Sequence, residues 1–229
     1  MAKTTIAVLF GGVSSEHEVS RMSATSVLNN LDKEKFNVLA VGIKKDGSWH
    51  LYPGPTEGLC TGEWEACKEN IPVAFCPGSG MKGLVAFENG RVRELPVDVV
   101  FPVLHGKNGE DGTVQGLLEM AGLPYVGCGV LGSALCMDKV CANLVMDAAG
   151  IARCEWDYME AWQLADFDAI ERRVAEKLHY PIFVKPANAG SSVGISKAAD
   201  KAALRAAVEL ALRHDSRVVF ERFVDSHEI

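Results

Sequence analysis

A chain of 229 residues, nearly half of them hydrophobic, is long enough to bury a sizeable core as one large domain or two smaller ones. Its net charge of −7 contains no basic run, which argues against a nucleic-acid surface or an anionic membrane as partner, though not against a locally basic anion pocket. The apolar stretch Ile6 to Phe10 is too short for a signal sequence, no stretch is long enough to span a bilayer, and the seven cysteines include no Cys-x-x-Cys pair. The chain therefore reads as cytoplasmic and without a zinc site. Cys128, Cys136 and Cys141 sit among apolar neighbours, where reduced thiols pack as small hydrophobes.

In chain order, "KTTIAVLFGG" predicts a buried strand running into a glycine turn. "EHEVSRMSATSVLNNL" then places Val19, Met22, Val27 and Leu31 at helical spacing, and "FNVLAVGI" is the next strand. Strand, glycine turn, helix, strand is the start of a parallel α/β sheet, which binds ligands where strand ends meet helix starts. Residues 49 to 93 are rich in Gly and Pro and weakly periodic, and predict hairpins and loops decorating the sheet. "VDVVFPVLHG" returns as an apolar strand, its loop "HGKNGEDGT" leads into a helix at "VQGLLEMAG", and one long helix is expected from Val130 to Ala149, ended by Gly150. Beyond it come a strand at "CEWDYME", a helix with Ile170, Val174 and Leu178 on one face, and a strand at "YPIFVKP". A helix around Leu204, Val208 and Ala211 precedes the terminal strand, in which Val218 to Phe220 are interrupted by Glu221 and Arg222 before Phe223 and Val224 resume.

Several stretches could carry chemistry. In "KPANAGSSVG", Lys185 at a strand end is followed by small residues whose backbone N–H groups and hydroxyls suit phosphate oxygens; a surface hairpin tip is the plainer alternative. "GCGVLG" fits a dinucleotide pattern or a tight connection into a helix. In "GGVSSEHEVS", Gly11 and Gly12 permit a sharp turn, and Ser14, Ser15 and Glu16 are good N-cap residues; a carboxylate on so rigid a turn could also bind an ammonium group. His17 and Glu18 are expected to face solvent. "LHGKNGEDGT", with His105, Lys107, Glu110 and Asp111, is either a site edge or a solvated turn. Lys139, on an apolar helix, either snorkels or points into an anion site.

Taken together and in order, "FGGVSSEHEVS", "LHGKNGEDGTVQGLLEMAGLPYVGCGVLGSALCMDK", "FVKPANAGSSVGISK" and "VFERFVDSHEI" resemble the D-alanine–D-alanine ligases, ATP-grasp enzymes of peptidoglycan synthesis. The resemblance implies an α/β chain with an N-terminal parallel-sheet, Rossmann-like domain at residues 1–137 and a central ATP-grasp subdomain at 138–229, the C-terminal ATP-grasp domain being absent. It implies ATP-dependent ligation of two D-alanines through an acylphosphate, with Mg2+ ligands in the missing domain, no metal site here, a possible homodimer, and a chain inactive by itself.

By the same resemblance, Glu16 would hold the ammonium group of the first D-alanine, with His105 near the substrate carboxylate and Ser191 positioning the substrates and Glu16. Lys139 and Lys185 would contact ATP phosphates, and the loop from Gly190 through Ser192 to Val193 would close over them. Glu221 would accept from the adenine amino group, the backbone near Arg222 and Val224 would pair with the ring edge, and Glu228 would reach the ribose. "GCGVLG" becomes a structural turn. The alternatives are a D-alanine–D-lactate ligase, another ATP-grasp carboxylate–amine ligase, or a non-catalytic nucleotide- or amino-acid-binding fragment.

Overall fold

A computed structural model describes residues 2–78 and 80–225. Its contacts divide the chain into two compact units, one up to Ala134 and the other from Leu135.

The first unit is built on strand β1 (Thr4–Gly11), whose two faces are both buried. Ile6, Val8 and Phe10 point into one core and Ala7 and Leu9 into the other, the period-2 alternation of a central strand. Helix α1 (His17–Asn30) returns the chain to β2 (Phe36–Ile43), and β1 pairs in parallel with β2 on one side and with β7 (Val99–Pro102) on the other. The glycine- and proline-rich segment forms the expected hairpins, and they join the main sheet as its continuation. It holds β3 (Trp49–Leu51), β4 (Ile71–Phe75), β5 (Gly83–Glu88) and β6 (Arg91–Pro96), which extend the sheet antiparallel to the order β6-β5-β4-β3-β2-β1-β7. Short strands punctuated by turns give weak periodicity, and pairing to β2 supplies the order that local sequence does not. The same segment carries the short helix α2 (Glu57–Thr61) and a 3-10 turn (Glu63–Ala66), whose Trp64 is fully buried beside Phe10, Leu59 and Tyr52.

Helix α1 is present, and Val27 and Leu31 of the expected stripe pack against the core, but its N-terminal half turns a different face inward. Val19 and Met22 are 47% and 63% exposed, while His17, Ser20, Ala24 and Leu28 are buried. The polar residues win because they have partners: Ser20 Oγ accepts the Gly11 N–H at 2.9 Å and donates to the Val103 carbonyl. His17, expected in solvent, is completely buried, whereas Glu18 is exposed as expected.

Helix α3 (Thr113–Met120) covers the core formed by Leu9, Val41, Ile43 and Val100. The expected single helix from Val130 to Ala149 is two, α4 (Val130–Met137) and α5 (Lys139–Ala148). Asp138 breaks it, with extended backbone and a side chain that caps α5 by accepting from the Cys141 N–H at 3.0 Å. Cys128 and Cys136 are exposed rather than packed, and Cys141 is half-buried.

The second unit is a four-stranded sheet, β10-β9-β11-β8, formed by β8 (Trp156–Glu160), β9 (Ile182–Pro186), β10 (Ser196–Ala198) and β11 (Arg217–Arg222). All its pairings are antiparallel. Helices α6 (Phe167–Leu178) and α7 (Lys201–Ala211) lay Ile170, Val174, Leu178, Leu204, Val208 and Ala211 against Ile182, Val184, Val218 and Phe220. Alternation then sends Lys185, Val219 and Glu221 to the opposite face, where Val140 of α5, Trp156 and Ala187 surround Val219. The β11 ladder ends at Arg222, so Phe223 and Val224 do not continue the strand.

No helix among the described residues is long and apolar enough to cross a membrane.

Candidate functional site

In the first unit, the C-terminal end of β1 turns through Gly11 and Gly12, both at positive φ (+86° and +101°), a conformation a side chain would strain. The turn delivers Glu16 to the N-cap position, just before α1, with only 8% exposure. Ser14 is not the helix cap. Its hydroxyl accepts the Glu16 N–H at 3.1 Å and donates to the His105 carbonyl at 2.9 Å, tying the β1 turn to the loop after β7. His105 Nε2 lies 3.0 Å from Ser23 Oγ on α1. Gly106, at φ +71°, closes against the carboxylate: a Cβ there would stand 2.5 Å from Glu16 Oε2. Glu16 and the His105 loop are therefore brought together.

The other charges of that loop serve its own shape. Glu110 Oε2 accepts the Gly106 N–H at 2.6 Å, and Asp111 accepts from the Asn108 and Thr113 N–H groups at 2.8 and 3.1 Å. Lys107 is exposed. Beside the turn, a cavity of about 310 Å³ opens at the carboxyl ends of β1 and β2, lined by Gly12, Val13, Ile43, Trp49, Leu104 and His105 among others. Sheets of this kind bind ligands there, where the strand order reverses about β1.

In the second unit, Lys185 of β9 and Glu221 of β11 lie diagonally on one sheet face, because Val219 is the residue in register with Lys185. The two side chains form an ion pair, each about a fifth exposed. Lys139, at the start of α5, donates to the Ala189 carbonyl at 2.6 Å and the Ala187 carbonyl at 3.5 Å. It neither snorkels nor stands alone. Burial, and after it the charge of Lys185, lowers its pKa below the usual lysine value.

Lys139 consequently carries a pH signature. With fewer protons bound in the native state than in the unfolded one near its titration, its unfavourable contribution is fully present below the lowered pKa and disappears as pH rises towards 10.5. The stability of the wild type relative to Lys139→Met is expected to increase over that window, as measured by denaturant unfolding at stepped pH.

Between β9 and β10 the chain makes a tight loop in which Ser191, Ser192 and Gly194 have φ of +45°, +60° and +71°. Val193 N–H closes it by donating to the Gly190 carbonyl at 3.0 Å. A Cβ on Gly194 would lie 2.7 Å from His214 Cδ2, so the loop is packed on its own scaffold. Arg222 donates its backbone N–H to Glu155 at 2.9 Å and its guanidinium to the same residue at 2.6 Å, while the Val224 side chain is 54% exposed. Glu228 lies outside the described residues. The Phe183 and Phe223 rings lie 5.9 Å apart beside Lys185, with the Lys197 ammonium 3.6 Å over Phe223, an arrangement the sequence did not indicate. Alternation along β9 could have revealed Phe183, which shares the Lys185 face.

Among the described residues no group of three His, Cys, Asp or Glu side chains is arranged to hold a metal ion.

One α/β unit thus holds a largely buried acid on a sheet-end turn, and the other holds Lys139 and Lys185 beside a small-residue loop on an antiparallel sheet. Two family models match it, described as D-ala D-ala ligase N-terminus over residues 5–128 and D-ala D-ala ligase C-terminus over residues 145–229. The chain belongs to the D-alanine–D-alanine ligase family.

It is 50% identical over its whole length to a D-alanine–D-alanine ligase of Thermoanaerobacter sp. (strain X514), of which it covers 63%. It is 44% identical to a putative D-alanine–D-lactate ligase of Streptomyces coelicolor, over its whole length and 62% of that protein. The crystal structure of the VanG D-Ala:D-Ser ligase from Enterococcus faecalis superposes with a TM-score of 0.88 at 41% identity, over 98% of this chain and 64% of that one. The chain thus spans less than two thirds of the length of these relatives.

Proposed function

We propose that this chain is the substrate- and ATP-binding portion of an enzyme that joins two D-alanines at the expense of ATP, for peptidoglycan synthesis. The γ-phosphoryl group passes to the carboxylate of the first D-alanine, giving an acylphosphate and ADP. The amine of the second then attacks the acyl carbon, the peptide bond forms, and phosphate leaves. Such chemistry needs an anchor for the first amino acid and positive charge for the phosphates. The observation that carries the reading is the partly buried Lys139 ammonium held at the Ala187 and Ala189 carbonyls, at the foot of the Gly190–Val193 loop that follows Lys185, in a chain of this family.

In this reading residues 1–137 bind the first D-alanine and residues 138–229 bind ATP. Glu16, which is largely buried, accepts the ammonium protons of the first D-alanine, and His105 stands near its carboxylate. Lys139 and Lys185 neutralise phosphate oxygens, while Ser191, Ser192 and Val193 cover them with hydroxyl and backbone donors. Ser191 also orients the amino acid. Glu221 receives the adenine amino group, and the backbone at Arg222 and Val224 and the carboxylate of Glu228 meet the ring edge and ribose. Since the Arg222 N–H already donates to Glu155, that residue can offer adenine only its carbonyl. Magnesium accompanying ATP takes its protein ligands from outside the described residues. The reading implies a cytoplasmic enzyme and is compatible with a homodimer.

The test uses the protein at the full length of its relatives: phosphate release from ATP should depend on D-alanine, with the dipeptide identified by mass spectrometry. Preference for D-lactate or D-serine over the second D-alanine would move the assignment to another branch of the family. Glu16→Gln removes the charge facing the ammonium group and is expected to raise the Michaelis constant for the first D-alanine roughly 10- to 100-fold, leaving that for ATP near wild type. The opposite split would mean the two sites are interchanged.

A further inference from the structure

We infer that His17 is a positioning residue for the first amino acid, acting through the Gly12 carbonyl on the turn that presents Glu16; this rests on the reading of that turn as the ammonium site. The ring is completely buried, yet it is no apolar filler. Nδ1 lies 2.8 Å from the Gly12 carbonyl and Nε2 lies 3.1 Å from Glu65 Oε1. A carbonyl can only accept, so Nδ1 carries a proton and donates there. Glu65, whose carboxylate also lies 4.0 Å from Arg21 Nη1, faces the other nitrogen. Trp64 stacks on the ring, with centroids 6.3 Å apart and planes 19° from parallel.

Gly11 and Gly12 have no side chains to fix their own left-handed turn, so it must be held from outside. Three groups hold it. Ser20 Oγ takes the Gly11 N–H and the Ile43 carbonyl takes the Gly12 N–H, each at 2.9 Å, which leaves the Gly12 carbonyl to His17. The His17 clamp differs from the other two because it folds back from the residue next to Glu16. The segment from Gly12 to His17 is thereby closed into a ring, and the Glu16 backbone is fixed between its two ends. The closeness of fit is visible at Gly11, where a Cβ would lie 3.0 Å from His17 Cε1.

The two nitrogens can be tested separately. In His17→Asn the side-chain amide nitrogen stands where Nδ1 does, and in His17→Gln it stands nearer Nε2, while both variants lose the ring that stacks on Trp64. In the full-length protein, His17→Asn is expected to keep the Michaelis constant for the first D-alanine within about threefold of wild type, and His17→Gln to raise it about tenfold or more. The constant for ATP should be unchanged in both, and thermal stability should fall comparably. Equal D-alanine constants in the two variants, or a change confined to ATP, would overturn the proposal, as would loss of folding in both, which would make the role purely structural. If Glu16→Gln left D-alanine binding untouched, the underlying reading would fall instead. If Glu16→Gln weakened it while the two His17 variants behaved alike, that reading would stand without the positioning role.

Discussion

Replacing Lys185 with alanine is expected to raise the ATP concentration needed for half-maximal turnover roughly 10- to 100-fold, with little change for D-alanine. A hydrogen bond to a charged group contributes about 1.5–3 kcal/mol, and each 1.4 kcal/mol is a factor of ten. The substitution has a second effect, because Lys185 is ion-paired with Glu221 on the same sheet face and both are about four-fifths buried. Removing the cation leaves a largely desolvated carboxylate, so the variant should also melt earlier than wild type. The double variant Lys185→Met/Glu221→Gln separates the two effects. It should recover most of the stability, since no uncompensated charge remains, but not the ATP affinity. An unchanged ATP constant in Lys185→Ala would eliminate the lysine from the phosphate site. A double variant no more stable than Lys185→Ala would show that the pair contributes nothing by its charge.

The second large effect is expected at Trp64. The ring is fully buried and meets Phe10 edge-on at 4.8 Å, Tyr52 at 6.5 Å and the His17 imidazole face-on at 6.3 Å. Trp64→Ala should cost about 3–5 kcal/mol in denaturant unfolding, the usual range for an aromatic core truncation. The contact that distinguishes this site is with Gly42 of β2, where a Cβ would lie 2.5 Å from Trp64 Cη2 and 2.8 Å from Phe10 Cζ. Gly42→Ala should therefore destabilise the wild type by about 1–3 kcal/mol through overpacking, and by clearly less in the Trp64→Ala background. Strict additivity of the two substitutions would show that the indole does not fill the space over Gly42. Because Trp64 also backs His17, its loss should weaken the first D-alanine along with stability.

Much of the order of elements was legible in the sequence. β1, β2, β7 and the helices carrying Ile170, Val174, Leu178 and Leu204 announced themselves through periodicity, and Lys185 was correctly read at a strand end. What failed did so for identifiable reasons. The inward face of α1 was misread in its first turns, where the buried residues His17 and Ser20 are polar, and hydropathy cannot anticipate that they find acceptors across the turn. The hairpins expected between residues 49 and 93 are present, but their bounds and their continuity with the main sheet were not legible, because the strands pair with β2 and with one another, which no local pattern records. The helix break was missed because Asp138 can sit on a helix surface as easily as at a cap, and its pairing with Arg217 is 79 residues distant.

The sequence by itself determined the family, the chain order of the two units, and the identity of the charged residues near each turn, since these depend on residue type and spacing alone. Tertiary structure decided which of those charges meet. Glu16 lies against Gly106, Lys185 pairs with Glu221, Lys139 reaches the carbonyls at Ala187 and Ala189, and His17 clamps Gly12 from the buried side of its helix. The physical reason is that a buried polar group is tolerated only where its partner also arrives, and those partners come from strands and loops that folding brings close, whatever their distance along the chain.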